Sequence, residues 1–245
     1  MDTSSGAAAL SIRNVSKAFG AQRVLDGVDL DVGSAELVAF IGLNGAGKTT
    51  LFKSVLDLCA IAAGEIRIFG EPHRRRAARA QLMYLPERFV PPYFMTGYEF
   101  LDFTCALGKR GVQRDEMDAA ANEVELEPAA LGRMVRDYSS GMTRKVGLAA
   151  CLLSRRPLLL LDEPLSGLDP LARSQFKKAL LKLKTAGRGV FFSSHDLAGV
   201  ADVCDRVALL HKGRIQFAGS PDECLAVYHG TSLETAFLHA IEGEQ

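Results

Sequence analysis

Hydrophobic and polar positions along the chain follow two patterns. Short apolar runs and apolar–polar alternation are typical of strands, and they occur at residues 10–15, 24–32, 36–41, 65–69, 158–161, 190–193 and 207–210. Apolar positions at helical spacing predict helices at residues 49–58, 171–185 and 197–204. Because strands and helices alternate in the second half of the chain, we expect a parallel sheet with helical crossovers.

The middle of the chain, from about residue 89 to residue 153, has a different pattern. Its apolar positions are spaced as in helices, and no strand pattern interrupts them. We therefore predict an α/β fold in which a core with a parallel sheet carries an N-terminal antiparallel β part and an inserted helical subdomain at about 89–153. The expected domain spans residues 10–225, between a disordered start at residues 1–9 and a helical tail at residues 226–245.

Charge and cysteine content disfavour several classes of protein. Lys and Arg together number 29, as do Asp and Glu, so there is no basic excess of the kind that attracts nucleic acid. None of the five cysteines forms a CxxC pair, which argues against a disulfide framework or a zinc site. No apolar run approaches the ~20 residues that a membrane-spanning helix needs, and the N-terminus lacks the pattern of a signal peptide. We expect a soluble, cytoplasmic protein.

A glycine-rich loop follows the apolar run at 36–41. The sequence GLNGAGKTT at residues 42–50 matches the phosphate-loop pattern GxxxxGK[ST] at every fixed position. Its glycines let backbone N–H groups turn towards phosphates, and the following helix adds the positive end of its dipole. Lys48 should reach the β- and γ-phosphates of ATP, and the Thr49 hydroxyl should bind Mg²⁺. The predicted ATP-binding residues of this P-loop are Gly42, Asn44, Gly45, Ala46, Gly47, Lys48, Thr49 and Thr50. The alternative is an ordinary glycine-rich turn.

Two acidic residues and a histidine follow other predicted strands. LLLLDEP at residues 158–164 puts Asp162 at the carboxyl end of a buried strand, where ligands of open α/β sheets bind. Asp162 suits a carboxylate that holds Mg²⁺, and Glu163 is the candidate general base. His195 follows the strand at 190–193, at the same edge of the sheet. The alternatives are a strand capped by two carboxylates and a packed or solvated histidine.

A third motif, YSSGM at residues 138–142, precedes the LLLLDEP strand. It resembles the signature sequence, often LSGGQ, of the ATP-binding cassette (ABC) ATPase family. Ser139 and Gly141 are kept, whereas Ser140 and Met142 stand where glycine and glutamine are common. The resemblance runs from about residue 10 to residue 220, and six motifs appear in the order of the family.

The resemblance implies an ATPase that uses Mg²⁺ and works as a dimer. In that family two subunits pair head to tail, so that Ser139 and Gly141 of one chain close over ATP held by the other. Phe19 matches the position that stacks on adenine, although a lone phenylalanine could equally belong to the core. Asp169 would communicate across the dimer, and His195 would contact the γ-phosphate and hold the attacking water together with Glu163.

One position departs from the family pattern. The sequence YLPE ends in Glu87, where the family usually has glutamine. A glutamate can still bind Mg²⁺, although its charge should weaken a phosphate contact unless the metal offsets it. YLPE, together with the ending LETAFLHAIEG at residues 233–243, is similar to a subgroup whose ATPase is a chain separate from its exporter membrane chain.

The subgroup implies an ATPase subunit that drives an integral membrane permease, an exporter, from the inner face of the cell membrane. We expect a homodimer, with a pair of two different ATPase chains as the alternative, and no nucleic acid as partner. The apolar and aromatic segment RFVPPYFMTGYEF at residues 88–100 is suited to gripping that permease, and plain packing within the subdomain is its alternative. The alternative function is a non-transport ABC ATPase that acts on nucleic acid or on the ribosome. A P-loop kinase or switch protein is a further alternative, but it would not need Ser139, Gly141 or His195.

Overall fold

The computed structural model describes residues 8–242, in which the strands form two sheets. The smaller sheet contains β1 (Leu10–Phe19), β2 (Gln22–Val32), β4 (Ala63–Ile68) and β5 (Glu71–Pro72). The larger sheet contains β3 (Leu37–Gly42), β6 (Leu82–Leu85), β7 (Leu158–Leu161), β8 (Gly189–Ser194), β9 (Arg206–His211) and β10 (Arg214–Gly219). The smaller sheet is antiparallel, in the order β2-β1-β4-β5. The larger has the order β10-β9-β3-β8-β7-β6 and is parallel except for β10.

The helices follow the strands as crossovers or stand apart from them. In chain order they are α1 (Lys48–Val55), α2 (Arg76–Arg79), α3 (Gly97–Leu107), α4 (Arg114–Glu123), α5 (Ser140–Leu153), α6 (Pro170–Thr185), α7 (Ala198–Ala201), α8 (Pro221–Tyr228) and α9 (Leu233–Glu242). Helices α3, α4 and α5, with two short 3-10 helices, fill the stretch between residues 89 and 153. The predicted fold class, an α/β core with an antiparallel β part and a helical insertion, is confirmed.

The parallel sheet is buried on both faces, which explains why its strands read as continuous apolar runs. Side chains alternate along each strand: in β7, Leu158 and Leu160 face α1 and the antiparallel sheet, whereas Leu159 and Leu161 face the helical insertion and α6. The sheet is thus held between the antiparallel sheet on one side and helices on the other. This packing fixes the carboxyl ends of β3, β7 and β8 as one rigid edge.

Several element boundaries differ from the sequence-based prediction. Strand β1 continues to Phe19 because it forms a hairpin with β2 around Gly20, which has a φ of +58°. The edge strand β10 was not predicted, since its side chains are mostly half-buried and show no clear alternation. Helix α7 is shorter than the predicted helix at 197–204.

The predicted domain limits also need correction at two points. Ala9, placed in the disordered start, is buried, and its carbonyl accepts a hydrogen bond from the Phe69 amide. The boundary between residues 225 and 226 falls inside α8. Residues 1–7 of the predicted disordered start and residues 243–245 of the predicted tail lie outside the described residues. Between residues 8 and 242 no helix has both the length and the apolar character needed to span a membrane.

Candidate functional site

The loop between β3 and α1 can only be built from glycine at its tightest points. Gly47 has a φ of +115°, and a Cβ atom there would lie 2.8 Å from the Val24 carbonyl oxygen. At Gly42 a Cβ atom would lie 2.7 Å from the Leu210 carbonyl oxygen. Ala46 closes the turn, since its amide donates to the Leu43 carbonyl. The loop therefore curls tightly in front of α1, where the helix dipole favours an anion.

Lys48 opens α1 and is almost fully buried at the loop. Its ammonium group donates to the Gly42 carbonyl at 2.6 Å and lies 3.6 Å from Glu163 Oε1. A buried lysine needs such partners because an unpaired buried charge is costly. The ammonium group is thus held between the loop and the end of β7.

Asp162 lies at the carboxyl end of β7 and accepts two hydroxyl hydrogen bonds. The Thr49 hydroxyl donates to Asp162 Oδ2 at 2.9 Å, and the Ser193 hydroxyl donates to Asp162 Oδ1 at 2.5 Å. The pKa of the neighbouring Tyr84 phenol is raised by burial first and by the Asp162 carboxylate second. Two of the three residues predicted to bind the metal, Thr49 and Asp162, are therefore in direct contact, and the third, Glu87, lines the same cavity.

Glu163, which follows Asp162, has a left-handed backbone conformation, and its side chain has different partners. Its φ of +49° is uncommon for a residue with a side chain. Its amide donates to the Ser193 hydroxyl at 2.8 Å, and its Oε2 lies 2.8 Å from His195 Nδ1. The buried Glu163 carboxylate is thus paired with a half-exposed histidine at the end of β8.

These side chains surround one cavity of about 330 Å³. It is lined by Leu43, Asn44, Gly45, Gly47, Lys48, Thr49, Thr50, Glu87, Asp162, Glu163 and His195. Gly42 and Ala46 belong to the same loop but are not among the lining residues. The phosphate loop, both carboxylates, Glu87 and His195 are thus brought together as the sequence motifs predicted.

The donors and acceptors of the cavity fit a polyphosphate with Mg²⁺. Thr49 and Asp162 offer hard oxygen ligands, and Mg²⁺ is commonly held by one or two protein groups together with phosphate oxygens and water. Glu163 Oε1 is buried and accepts no hydrogen bond from the described part of the chain. Within residues 8–242 no cluster of three or more His, Cys, Asp or Glu side chains could hold a metal by itself. Thr49 and Asp162 are therefore the protein groups that fit Mg²⁺ beside a polyphosphate.

Four predicted residues belong neither to the phosphate loop nor to the lining of this cavity: Phe19, Ser139, Gly141 and Asp169. The Phe19 ring is 55% exposed, with Lys17 Nζ 4.7 Å from its centroid, so one face is covered by a cation. Ser139 caps α5 by accepting from the Met142 amide. Asp169 caps α6 by accepting from the Ala172 amide, a bond that lowers the pKa of its carboxyl group. Their predicted roles therefore depend on a ligand or on a second chain.

Two residues of the site were missed by the sequence-based prediction. Ser193 joins Asp162 to the Glu163 amide, and its only signal is a serine at the end of an apolar strand. Arg144 is buried on α5 and donates to backbone carbonyls of the segments that carry Glu87 and Glu163. The sequence feature that could have indicated its burial is its spacing: Arg144 lies three residues before Gly147 and four before Leu148, on the apolar face of α5.

Comparisons with known proteins agree with this arrangement. A family model described as ABC transporter matches residues 25–166. An uncharacterized ABC transporter ATP-binding protein of Nostoc sp. is 38% identical over 211 residues, which cover 84% of this chain and 63% of that protein. The Nod factor export ATP-binding protein I of Paraburkholderia xenovorans is 34% identical over 223 residues, 89% of this chain and 73% of that protein. The chain thus spans less than two thirds of the length of the Nostoc relative.

The fold is shared with solved structures. One, described as the ATP binding subunit of an ABC transporter, superposes with a TM-score of 0.86 and 31% sequence identity. The match covers 95% of this chain and 99% of that chain.

Proposed function

The chain belongs to the ABC transporter family of ATP-binding proteins, and on that premise we propose that it hydrolyses ATP to drive a membrane permease that exports its substrate. One observation carries the proposal. A single cavity brings together the Lys48 ammonium group, the Thr49–Asp162 pair and the Glu163–His195 pair. These are the parts that phosphoryl transfer to water needs: an anion cradle, a metal site and a base.

ATP binding is assigned to the phosphate loop. Residues of the loop and of the first turn of α1 line the cavity, and Lys48 binds the β- and γ-phosphates. Lys48, whose ammonium group donates to the Gly42 carbonyl, would donate to phosphate oxygens when ATP is bound. The exposed face of the Phe19 ring is available to stack on adenine.

Hydrolysis is assigned to the two carboxylates. Mg²⁺, when bound, would neutralise charge on the phosphates, and Thr49 and Asp162 are its ligands, with Glu87 as a further candidate. Glu163 accepts the proton of the attacking water, and His195, paired with it at 2.8 Å, orients that water and contacts the γ-phosphate. The reaction gains chiefly from positioning and charge neutralisation.

The remaining predicted residues are assigned to a second copy of the chain. Ser139 and Gly141 lie at the N-terminus of α5, where a helix dipole favours an anion. In a head-to-tail dimer this helix end would close over ATP held by Lys48 of the other copy. Asp169, at the N-terminus of α6, would lie at the same interface.

The permease contact is assigned to the segment between Glu87 and Thr96. Val90 is 85% exposed, and Tyr93 and Phe94 are also exposed and stack edge to face. Exposed apolar side chains grouped in this way are typical of protein interfaces. Export is the direction supported by the Nod factor relative, and attachment through a permease places the chain on the inner face of the cell membrane.

Nucleotide binding and turnover test the enzymatic half of the proposal. The purified protein should bind a fluorescent ATP analogue and release phosphate from ATP with Mg²⁺, and Lys48→Ala should lose both. Lys53→Ala is the matched control because Lys53 lies on the same helix but outside the cavity. Unchanged ATP affinity in Lys48→Ala would contradict the assignment of the phosphate loop.

Co-purification tests the transport half. The tagged chain, extracted from membranes in mild detergent, should bring a membrane protein with it, and Phe94→Asp should weaken this capture because a charge is costly to bury at an apolar interface. Val227→Asp, which places a charge on an exposed apolar position of α8, is the control. Stimulation of turnover by DNA or ribosomes, without any membrane protein, would instead favour a non-transport ATPase.

A further inference from the structure

Arg144, in the second turn of α5, is a buried cation whose partners in the described chain are backbone carbonyls. Its Nη1 donates to the Pro86 and Glu87 carbonyls at 2.8 and 2.9 Å. Its Nη2 donates to the Asp162 carbonyl at 2.9 Å and to the Glu163 carbonyl, and Nε donates to the Pro164 carbonyl at 3.4 Å. One side chain therefore joins α5 to the ends of both β6 and β7.

This arrangement is costly for stability alone. The Arg144 side chain is only 7% exposed, and burial is the main cause that lowers its pKa. Within residues 8–242 none of its hydrogen bonds goes to a carboxylate, so the cost of burying the charge is offset by bonds to carbonyl dipoles and by the nearby acidic residues. A planar guanidinium with five donors can satisfy several carbonyls at fixed angles, which a lysine cannot.

Three of the five carbonyls that Arg144 binds, those of Asp162, Glu163 and Pro164, belong to the backbone at and beside Glu163. At a φ of +49° this residue is held in a strained region. Its amide is fixed by Ser193, and its carbonyl by Arg144. With its left-handed backbone held by these two hydrogen bonds, Glu163 places its carboxylate next to Lys48 and His195.

We propose that Arg144 is a positioning residue for ATP hydrolysis: its guanidinium group holds the left-handed backbone of Glu163 so that the Glu163 carboxylate faces the cavity. The proposal rests on the proposed ATPase function. Because Arg144 lies on α5, the placement of Glu163 also depends on the position of the helix whose N-terminus carries Ser139. A shift of that helix would be transmitted directly to the base and to the segment that carries Glu87.

Steady-state kinetics of Arg144→Met test the proposal, with Arg188→Met as the matched control. Arg188 is equally buried and donates to the carbonyls of Cys151, Leu152 and Arg156, but it precedes β8 at the edge opposite the cavity. Since a misplaced reacting group can cost about 100-fold in rate, Arg144→Met should lower kcat by about 10- to 100-fold and leave KM for ATP within about twofold. Arg188→Met should leave kcat near the wild-type value, at a temperature where both variants are folded.

A double variant separates positioning of Glu163 from a general loss of structure. Adding Arg144→Met to Glu163→Gln should leave the small residual turnover unchanged, because the group that Arg144 positions is already disabled. Arg144→Lys should recover part of the lost kcat, and it keeps the test open if the methionine variant does not fold. Equal kcat in Arg144→Met and wild type, or a loss that multiplies with that of Glu163→Gln, would overturn the inference. Absence of turnover in the wild type would overturn the ATPase proposal instead.

Discussion

At the scale of single residues, the adjacent carboxylates of Asp162 and Glu163 differ in their hydrogen-bond partners, and we propose different roles for them. Asp162 accepts hydrogen bonds from the hydroxyl groups of Thr49 and Ser193, which fix its carboxylate beside the phosphate loop. Glu163 takes a left-handed backbone conformation and is paired with His195 instead. These different surroundings agree with the roles proposed for them, metal ligand for Asp162 and base for Glu163, although the two side chains have nearly the same chemistry.

Glu163→Gln should keep ATP binding and lose most turnover. An amide cannot accept the proton of the attacking water, and general base catalysis is worth about 10²- to 10⁴-fold in rate. The substitution also removes a negative charge 3.6 Å from Lys48 Nζ, so affinity for ATP should not fall. Phosphate release and the Kd for a fluorescent ATP analogue are the measurements, with the exposed Glu127→Gln as control. Turnover at the wild-type rate would show that another group is the base.

At the scale of elements, helix α5 is packed unusually close to the end of β6. A Cβ atom at Gly147 would lie 2.8 Å from the Phe89 ring and 2.9 Å from Leu85 Cδ1. Glycine in mid-helix is intrinsically unfavourable, so close approach is the physical reason for it here. The same approach lets Arg144, one turn earlier, reach the Pro86 and Glu87 carbonyls.

Gly147→Ala should therefore destabilise the protein although alanine is the better helix former. Overpacking a core costs about 1–3 kcal/mol, whereas the gain in helix propensity is about 1 kcal/mol, so the free energy of unfolding should fall by about 1 kcal/mol. Urea unfolding measures this change. Gly132→Ala is the control, since a Cβ atom at Gly132 meets nothing within 4 Å. A rise in stability for Gly147→Ala would mean that α5 can move away from Phe89 without cost.

The elements also show what the sequence could predict and what it could not. The strand β7 and the loop before α1 were predicted because each is a contiguous pattern with a local physical cause: burial on both faces, and glycine conformations around phosphates. The edge strand β10 and the contacts of Ser193 and Arg144 were not, because they depend on neighbours distant in sequence. Arg144 contacts the backbone carbonyl of Glu163, which is 19 residues away in the sequence. Because every residue has a backbone carbonyl, no sequence motif marks this contact.

At the scale of the whole molecule, one chain contains every predicted group but does not assemble them in one place. Lys48, Asp162 and Glu163 line the cavity, whereas Ser139, Gly141 and Asp169 do not. Ser139 and Asp169 each cap the N-terminus of a helix, and Lys145 on α5 lies 3.7 Å from Asp169. In the proposed head-to-tail dimer, these two helix ends would complete the cavity of the other chain.

Mixing two disabled chains tests this composite site. Lys48→Ala removes the phosphate contact, and Gly141→Asp puts a negative charge where the α5 N-terminus would meet phosphate, so each variant alone should hydrolyse little ATP. In a mixed dimer, Lys48 of the Gly141→Asp chain faces Gly141 of the Lys48→Ala chain, which restores one site of two. If half of the dimers are mixed and their sites work independently, turnover should return to about a quarter of the wild-type value. The control replaces the Gly141→Asp chain with one that carries both substitutions, because no pairing with Lys48→Ala then contains an intact site. Phosphate release that stays at the level of this control would mean that Lys48 of one chain and Gly141 of another do not complete a common site. High turnover by Gly141→Asp alone would mean that Gly141 has no part in catalysis.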